Sequence, residues 1–154
     1  MTPENAEATG APHVVCPACG AVNRLPASRP AELGKCGKCH QGLFIGAPVD
    51  VDEAGFALHV GRNDIPVLVD IWAPWCGPCR TMSPQFARAA SVLEPGVRLL
   101  KLNADNAPNV SAQLGVRGIP SMFLFRGGKV AGNVSGAMDA GAIVNWVRER
   151  LRAA

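Results

Sequence analysis

The chain has 154 residues, 48% of them hydrophobic and 18% charged, the balance of a globular protein with room for one domain and a small appendage. A formal net charge of +3 is too small for a surface that tracks a polyanion, so no nucleic-acid partner is expected. No apolar run approaches the ~18 residues that span a bilayer, and Glu4 and Glu7 stand where a secretory signal would be positive. The expectation is a cytoplasmic protein without membrane contact, whose cysteine pairs are metal ligands or redox groups rather than structural disulfides.

Residues 1–12 are small, polar and acidic, the composition of a flexible lead-in. Residues 13–46 follow as a compact segment with two cysteine knuckles, Cys16-Pro17-Ala18-Cys19 and Cys36-Gly37-Lys38-Cys39, sixteen residues apart. Its apolar residues (Val14, Val15, Val22, Leu25, Leu33, Leu43, Phe44, Ile45) are too few for a core of their own, so it needs a staple. Four thiolates in two short loops suit one tetrahedral zinc held by Cys16, Cys19, Cys36 and Cys39. A pair of disulfides is the alternative, disfavoured by the expected compartment. His13 and His40 read as surface residues, because four cysteines already complete the ligand set. His40 stands where the first knuckle has Gly20, so the two knuckles need not share a geometry.

After the junction Gly46-Ala47-Pro48, residues 47–154 alternate strand-like and helix-like runs. Asp52-Glu53 opens a short helix through Val60, with acids in the first turn where the helix dipole favours them. Pro66 to Trp72 is a β-branched and apolar run of the kind buried on both faces of a sheet. Pro78 to about Leu93 predicts a helix with Pro84 as an internal kink. Val97 to Leu102 predicts a second strand, and Val110 to Leu114 a short helix. Ser121 to Phe125 and Lys129 to Val134 form a hairpin about Gly127-Gly128. Asp139 caps a last helix to Leu151. The order implies an α/β layer structure, one central sheet covered by helices.

The third pair, in Trp72-Ala73-Pro74-Trp75-Cys76-Gly77-Pro78-Cys79-Arg80, sits where the apolar strand ends and the helix begins. There the unpaired N–H groups and the positive end of the helix favour a thiolate at Cys76, and Cys79 returns over the same face. Pro78 lies in the first turn, where its missing N–H is harmless. A metal at this pair would need two further ligands, and His59 is the one histidine in this part of the chain. Dithiol exchange is the expected chemistry. Asp70, inside an apolar strand, is costly when ionised unless paired. It is either a strand residue with a local partner or a proton acceptor for the nucleophile turn beside it.

VLVDIWAPWCGPCR, GVRGIPSMFLFRGGKV and VSGAMD together resemble the thioredoxin family from about Val49 to Ala154, and CPACGAVNRLP with CGKCHQGLF resembles its zinc-containing thioredoxin 2 group. The resemblance implies a thioredoxin fold, a central mixed sheet flanked by helices, preceded by a small zinc-ribbon-like domain. It implies a protein-disulfide reductase in which an exposed Cys76 attacks a substrate disulfide and Cys79 resolves the mixed disulfide. Asp70 then matches the family's buried acid and Lys101 the lysine near it, although a lysine among leucines also reads as a snorkelling strand residue. Pro120 matches a cis-proline facing the cysteines. Trp75, Gly77, Pro78, Ile119, Gly136 and Ala137 match an apolar patch that takes extended substrate, with a core role for Trp75 and a turn role for Gly136 as the alternatives. The implied partners are disulfide-containing proteins and a thioredoxin reductase that passes on electrons from NADPH; the implied cofactor is one zinc ion, with no bound organic cofactor. Pro74 and Arg80 replace the more familiar Glu and Lys, which leaves the tuning of the dithiol open. Two other functions compete: a protein-binding module, and a redox-regulated chaperone whose four metal cysteines release zinc on oxidation.

Overall fold

The strand expected over 66–72 forms as β4, Val67–Trp72, and takes the centre of a five-stranded sheet in the computed structural model, which describes residues 11–153. Residues 1–10, most of the expected lead-in, lie outside the described residues. The strand order is β3 (Val49–Val51), β5 (Arg98–Asn103), β4, β6 (Ser121–Arg126), β7 (Lys129–Ser135). The first three run parallel, and β6 and β7 are antiparallel, which makes the sheet mixed. The helices are α1 (Glu53–Arg62), α2 (Gly77–Leu93), α3 (Pro108–Leu114) and α4 (Ala140–Ala153). This is the expected thioredoxin fold class.

Local signals place most boundaries. Asp52 Oδ1 accepts from the Gly55 N–H at 2.8 Å and caps α1, and Asp139 Oδ1 does the same for α4 through Ala142. The hairpin turns at Gly127 and Gly128 with φ of 60° and 80°, the left-handed pair that a tight turn between twisted strands demands. Helix α2 continues through Pro84 to Leu93 as one element.

Side chains alternate between the two faces of β4. Val67, Val69 and Ile71 join Phe56, Leu100, Leu102, Phe123 and Phe125 in the cluster beneath α1 and α3. Leu68 joins Met82, Phe86, Leu99 and Ile143 beneath α2 and α4. Period two therefore puts Asp70 and Trp72 on the α2 face, and on β5 it puts Lys101 there beside Leu99. Asp70 and Lys101 are register partners across the parallel pair.

The cysteine-rich segment holds a two-stranded antiparallel ribbon, β1 (His13–Val15) with β2 (Val22–Arg24), and one bridge between Lys35 and Gly42. Its core consists of Val14, Cys16, Leu25, Cys36 and Leu43, with Ile65 packed at the margin, and is as small as composition implied. The knuckles do share a geometry. Cys16 N–H bonds Ala21 O and Gly20 N–H bonds Cys16 O; Cys36 N–H bonds Gln41 O and His40 N–H bonds Cys36 O, all between 2.8 and 3.0 Å. Gly20 at φ 81° and His40 at φ 68° occupy the same left-handed position, so His40 adopts the backbone that glycine supplies in the first knuckle.

A buried polar network joins this segment to the sheet. Arg98, at the start of β5, donates through Nη2 to Val15 O at 3.1 Å and Leu43 O at 2.7 Å, and through Nη1 to Glu94 Oε2 at 3.1 Å. Glu94 Oε1 accepts from Gly46 N–H at 2.8 Å. Burial pushes the Glu94 carboxyl up and the Arg98 guanidinium down, and each opposes the other's shift by its own charge. On the other side Val15 N–H donates to Asn63 Oδ1 at 2.8 Å, which leaves the Asn63 amide nitrogen to donate to His59 Nδ1 at 3.1 Å. His59 is therefore a neutral acceptor there, its pKa held down to about 4 by burial and by the nearby Arg98 charge.

Candidate active site and metal centre

Cys76 is the N-cap of α2, at φ −90° and ψ 114°, and its Sγ accepts from the Cys79 N–H at 3.2 Å. The helix N-terminus thus offers its amide and its dipole to the first sulfur, as the position in the sequence demanded. Cys76 and Cys79 are joined as a disulfide. Cys79 is 1% exposed and Cys76 6%. Cys76 is thus the more accessible of the two but less open than expected, because Ala73, Trp72 and Ile119 pack around it.

The Ile119–Pro120 peptide is cis and brings the Ile119 carbonyl oxygen to 3.8 Å from Cys76 Sγ. Pro120 O accepts from the Gly136 N–H at 2.9 Å, which ties the Gly136 turn, at φ 102°, to the same loop. Gly77, Pro78, Gly136 and Ala137 are exposed around the dithiol. Trp75 is 68% exposed, which removes a core role, and its indole N–H is anchored between the Asp105 carboxylate oxygens at 3.0 and 3.1 Å. Asp105 was invisible to sequence reasoning, since nothing about an acid thirty residues on marks it as a partner. Arg80 Nη1 donates to Pro74 O at 2.8 Å, so the two residues that depart from the familiar pattern brace one another across the turn.

Asp70 is fully buried, and neither carboxylate oxygen has a hydrogen-bond partner among the described residues. The local-partner alternative therefore fails. Desolvation raises its pKa from 3.8 to about 7, against a smaller opposing pull from the Lys101 charge. Lys101 does not reach it as an ion pair. Its ammonium donates to Ser83 Oγ at 2.8 Å and lies 4.6 Å from the Trp72 ring centroid.

Away from the dithiol, the Sγ atoms of Cys16, Cys19, Cys36 and Cys39 lie within 4.8 Å of one another. The Cys16–Cys39 and Cys19–Cys36 pairs are 3.6 Å apart, near the ~3.8 Å edge of a tetrahedron of thiolates about 2.3 Å from a zinc. The knuckle amides point at the sulfurs: Ala18 N–H to Cys16 and Lys38 N–H to Cys36, both at 3.3 Å. Asn23 adds a side-chain donor to Cys36 at 3.4 Å and receives the Gly37 N–H at 2.9 Å. The Cys39 N–H and the Asn23 amide hold the Cys36 thiol down to about 5. Cys39, although a Gln41 backbone bond lowers it, is pushed up to about 11 by burial and by its three neighbouring sulfurs. Four sulfurs crowded this closely fit a dication at their centre. The two histidines stay out of it: His40 is exposed, and His13 pairs with Asp64 at 3.1 Å.

No helix among the described residues is long and apolar enough to cross a membrane. The family model described as Thioredoxin matches residues 47–149, and the one described as Thioredoxin 2, N-terminal matches residues 15–41. Among curated proteins, Thioredoxin C-3 of Corynebacterium nephridii is 37% identical over 139 residues, 90% of this chain and 95% of that protein. A thioredoxin of Porphyra purpurea is 43% identical over 101 residues, covering 66% of this chain and 94% of its own. Among solved structures, a mutant thioredoxin from Halobacterium salinarum NRC-1 aligns with a TM-score of 0.62 at 27% identity, over 70% of this chain and 93% of that one. The sheet order, the dithiol on α2 and these matches agree: the chain belongs to the thioredoxin family of thiol–disulfide oxidoreductases and carries the N-terminal zinc-ribbon unit of thioredoxin 2 ahead of it.

Proposed function

We propose that the chain is a cytoplasmic protein-disulfide reductase built as two domains, residues 13–46 and 47–154, with one zinc ion in the first and the working dithiol in the second. The observation that carries the reading is the Cys76–Cys79 pair at the start of α2, with the Cys79 N–H on Cys76 Sγ and Asp70, without a hydrogen-bond partner among the described residues, on the α2 face of the sheet.

In the reduced protein, the Cys76 thiolate attacks a substrate disulfide, displaces one substrate sulfur and forms a mixed disulfide. Cys79 then attacks Cys76 Sγ, its proton passing to Asp70, and the second substrate sulfur leaves. The product is the disulfide seen here. An extended substrate would lie along the Ile119–Pro120 loop, against Trp75, Gly77, Pro78, Gly136 and Ala137, using backbone pairing for affinity and little side-chain selection. Electrons would return from NADPH through a separate thioredoxin reductase. A coupled assay of NADPH, that reductase and insulin tests the whole sequence: Cys76→Ser should abolish turnover, whereas Cys16→Ser should leave much of it. Turnover surviving in Cys76→Ser would end the proposal.

Cys16, Cys19, Cys36 and Cys39 would hold the zinc, which when bound links the two knuckles and supplies the staple that a five-residue core lacks. The purified chain should carry one zinc, and exhaustive chelation should lower its melting temperature and expose the Val14 and Val15 amides to hydrogen exchange. Unchanged exchange at both amides after full metal removal would show that the segment folds by burial alone.

A further inference from the structure

Lys101 is the charge that acts on Asp70, and its ammonium, on a half-buried side chain, contacts two groups. A lysine is a flexible stem with a strongly hydrated head, which ordinarily reaches for water. Here the head is tethered at 2.8 Å to Ser83 Oγ and packed 4.6 Å from the centre of the Trp72 ring. Ser83 lies four residues beyond Cys79 on α2, so the two share the helix face turned to the sheet, with Met82 and Phe86 beside them. Lys101 and Asp70 are register partners on adjacent strands and share that same side of the sheet. One turn of helix thus carries the resolving sulfur at one end and the anchor of the lysine at the other.

We propose that Ser83 is a positioning residue for thiol–disulfide exchange, fixing the Lys101 ammonium in the place from which its charge acts on Asp70. The inference rests on the reading of Asp70 as the proton acceptor for Cys79. The register partners of Asp70 are Lys101 on β5 and Met122 on β6. The same face of the sheet is covered by α2, which carries Cys79 and Ser83 on its inner side, and by Ile143, Val144 and Val147 of α4, and Lys101 is the charged side chain that acts on Asp70. With no hydrogen bond to either carboxylate oxygen among the described residues, the ionisation of Asp70 answers to burial and to this one cation. Without the Ser83 hydroxyl the ammonium loses its neutral acceptor and extends towards water, and the carboxylate loses the charge that favours it. Alanine in a helix interior costs nothing in propensity, so the substitution leaves α2 intact.

The test is the Asp70 titration, read from the side-chain carboxyl carbon shift in labelled, reduced, metal-loaded protein, alongside the pH profile of insulin reduction. Ser83→Ala should move the Asp70 midpoint upward by about 1 pH unit, and Ser83→Thr, which keeps the hydroxyl, should restore it. Lys101→Met should move the midpoint at least as far, and adding Ser83→Ala to it should then change nothing. A midpoint unmoved by Ser83→Ala, or moved equally with and without Lys101, overturns the proposal. A moved Asp70 midpoint with an unmoved rate profile upholds the placement of Ser83 and counts instead against Asp70 as the acceptor.

Discussion

Arg98→Ala is expected to lower the unfolding free energy of the metal-loaded chain by about 3–5 kcal/mol, the cost of breaking a buried ion pair by removing one partner. The side chain is fully buried, and it serves Glu94, Val15 O and Leu43 O at once while lying 4.8 Å from the centre of the Phe44 ring. Its loss strands a carboxylate that is 3% exposed, leaving it only backbone N–H donors at Gly46 and Ile45 and no countercharge, and strands two carbonyls of the cysteine-rich segment. Lysine cannot stand in, because one ammonium does not reproduce the planar fork that spans three acceptors. Removing both charges in Arg98→Met with Glu94→Leu should cost clearly less than the single change, since no buried charge is then left alone. Urea unfolding at fixed zinc measures both variants. The acceptors at Val15 and Leu43 flank the knuckles, so Arg98→Ala should also speed the capture of zinc by a colorimetric chelator. A loss below about 1 kcal/mol would place the pair among solvent-screened surface bridges and refute its role as the joint.

The parts of this protein that could be read in the sequence are those whose cause is local. The run Val67 to Trp72 is apolar on both faces because β4 is the central strand, and no other element fits such a run. The cysteine spacing carries its geometry with it, since each knuckle is closed by bonds that span at most five residues. Strand β3 escaped notice because it is three residues long with an exposed Asp50 at its middle, and pairing with β5 alone makes it a strand. Arg98 and Ser83 escaped for the same reason in sharper form. An arginine ahead of leucines and a serine in an amphipathic helix both read as surface, and their partners lie in segments remote in sequence: Arg98 is buried against Val15 and Leu43, and Ser83 meets Lys101. Asp70 was visible as an anomaly, a carboxylate in an apolar strand. That neither of its oxygens has a hydrogen-bond partner among the described residues required the packing around it.

Replacing that carboxylate tests the packing most directly, because Asp70→Asn should change the shape of the stability curve against pH rather than only its height. Asp70 holds its proton to about pH 7 in the native state, whereas its ordinary pKa is 3.8. Between those values the unfolded chain has released a proton that the native chain retains. Stability from this group is therefore complete below the ordinary value, falls as pH rises through the window, and is lost above about 7. A separation of about three pH units corresponds to about 4 kcal/mol across the window. Asn has no proton to lose. Its unpaired amide costs stability by an amount that pH does not alter, so the variant should gain on the native chain by about 4 kcal/mol between the acid and alkaline ends of the range. Acid also weakens any zinc–thiolate site, but it does so in both chains, and the difference between their urea midpoints cancels that effect. On the proposed proton path the same change should slow insulin reduction at neutral pH by up to roughly 10²-fold, because an amide at position 70 could not take the proton that Cys79 gives up. Parallel stability curves for the two chains would mean that Asp70 ionises at its ordinary pH inside the fold, and would remove it from the proton path.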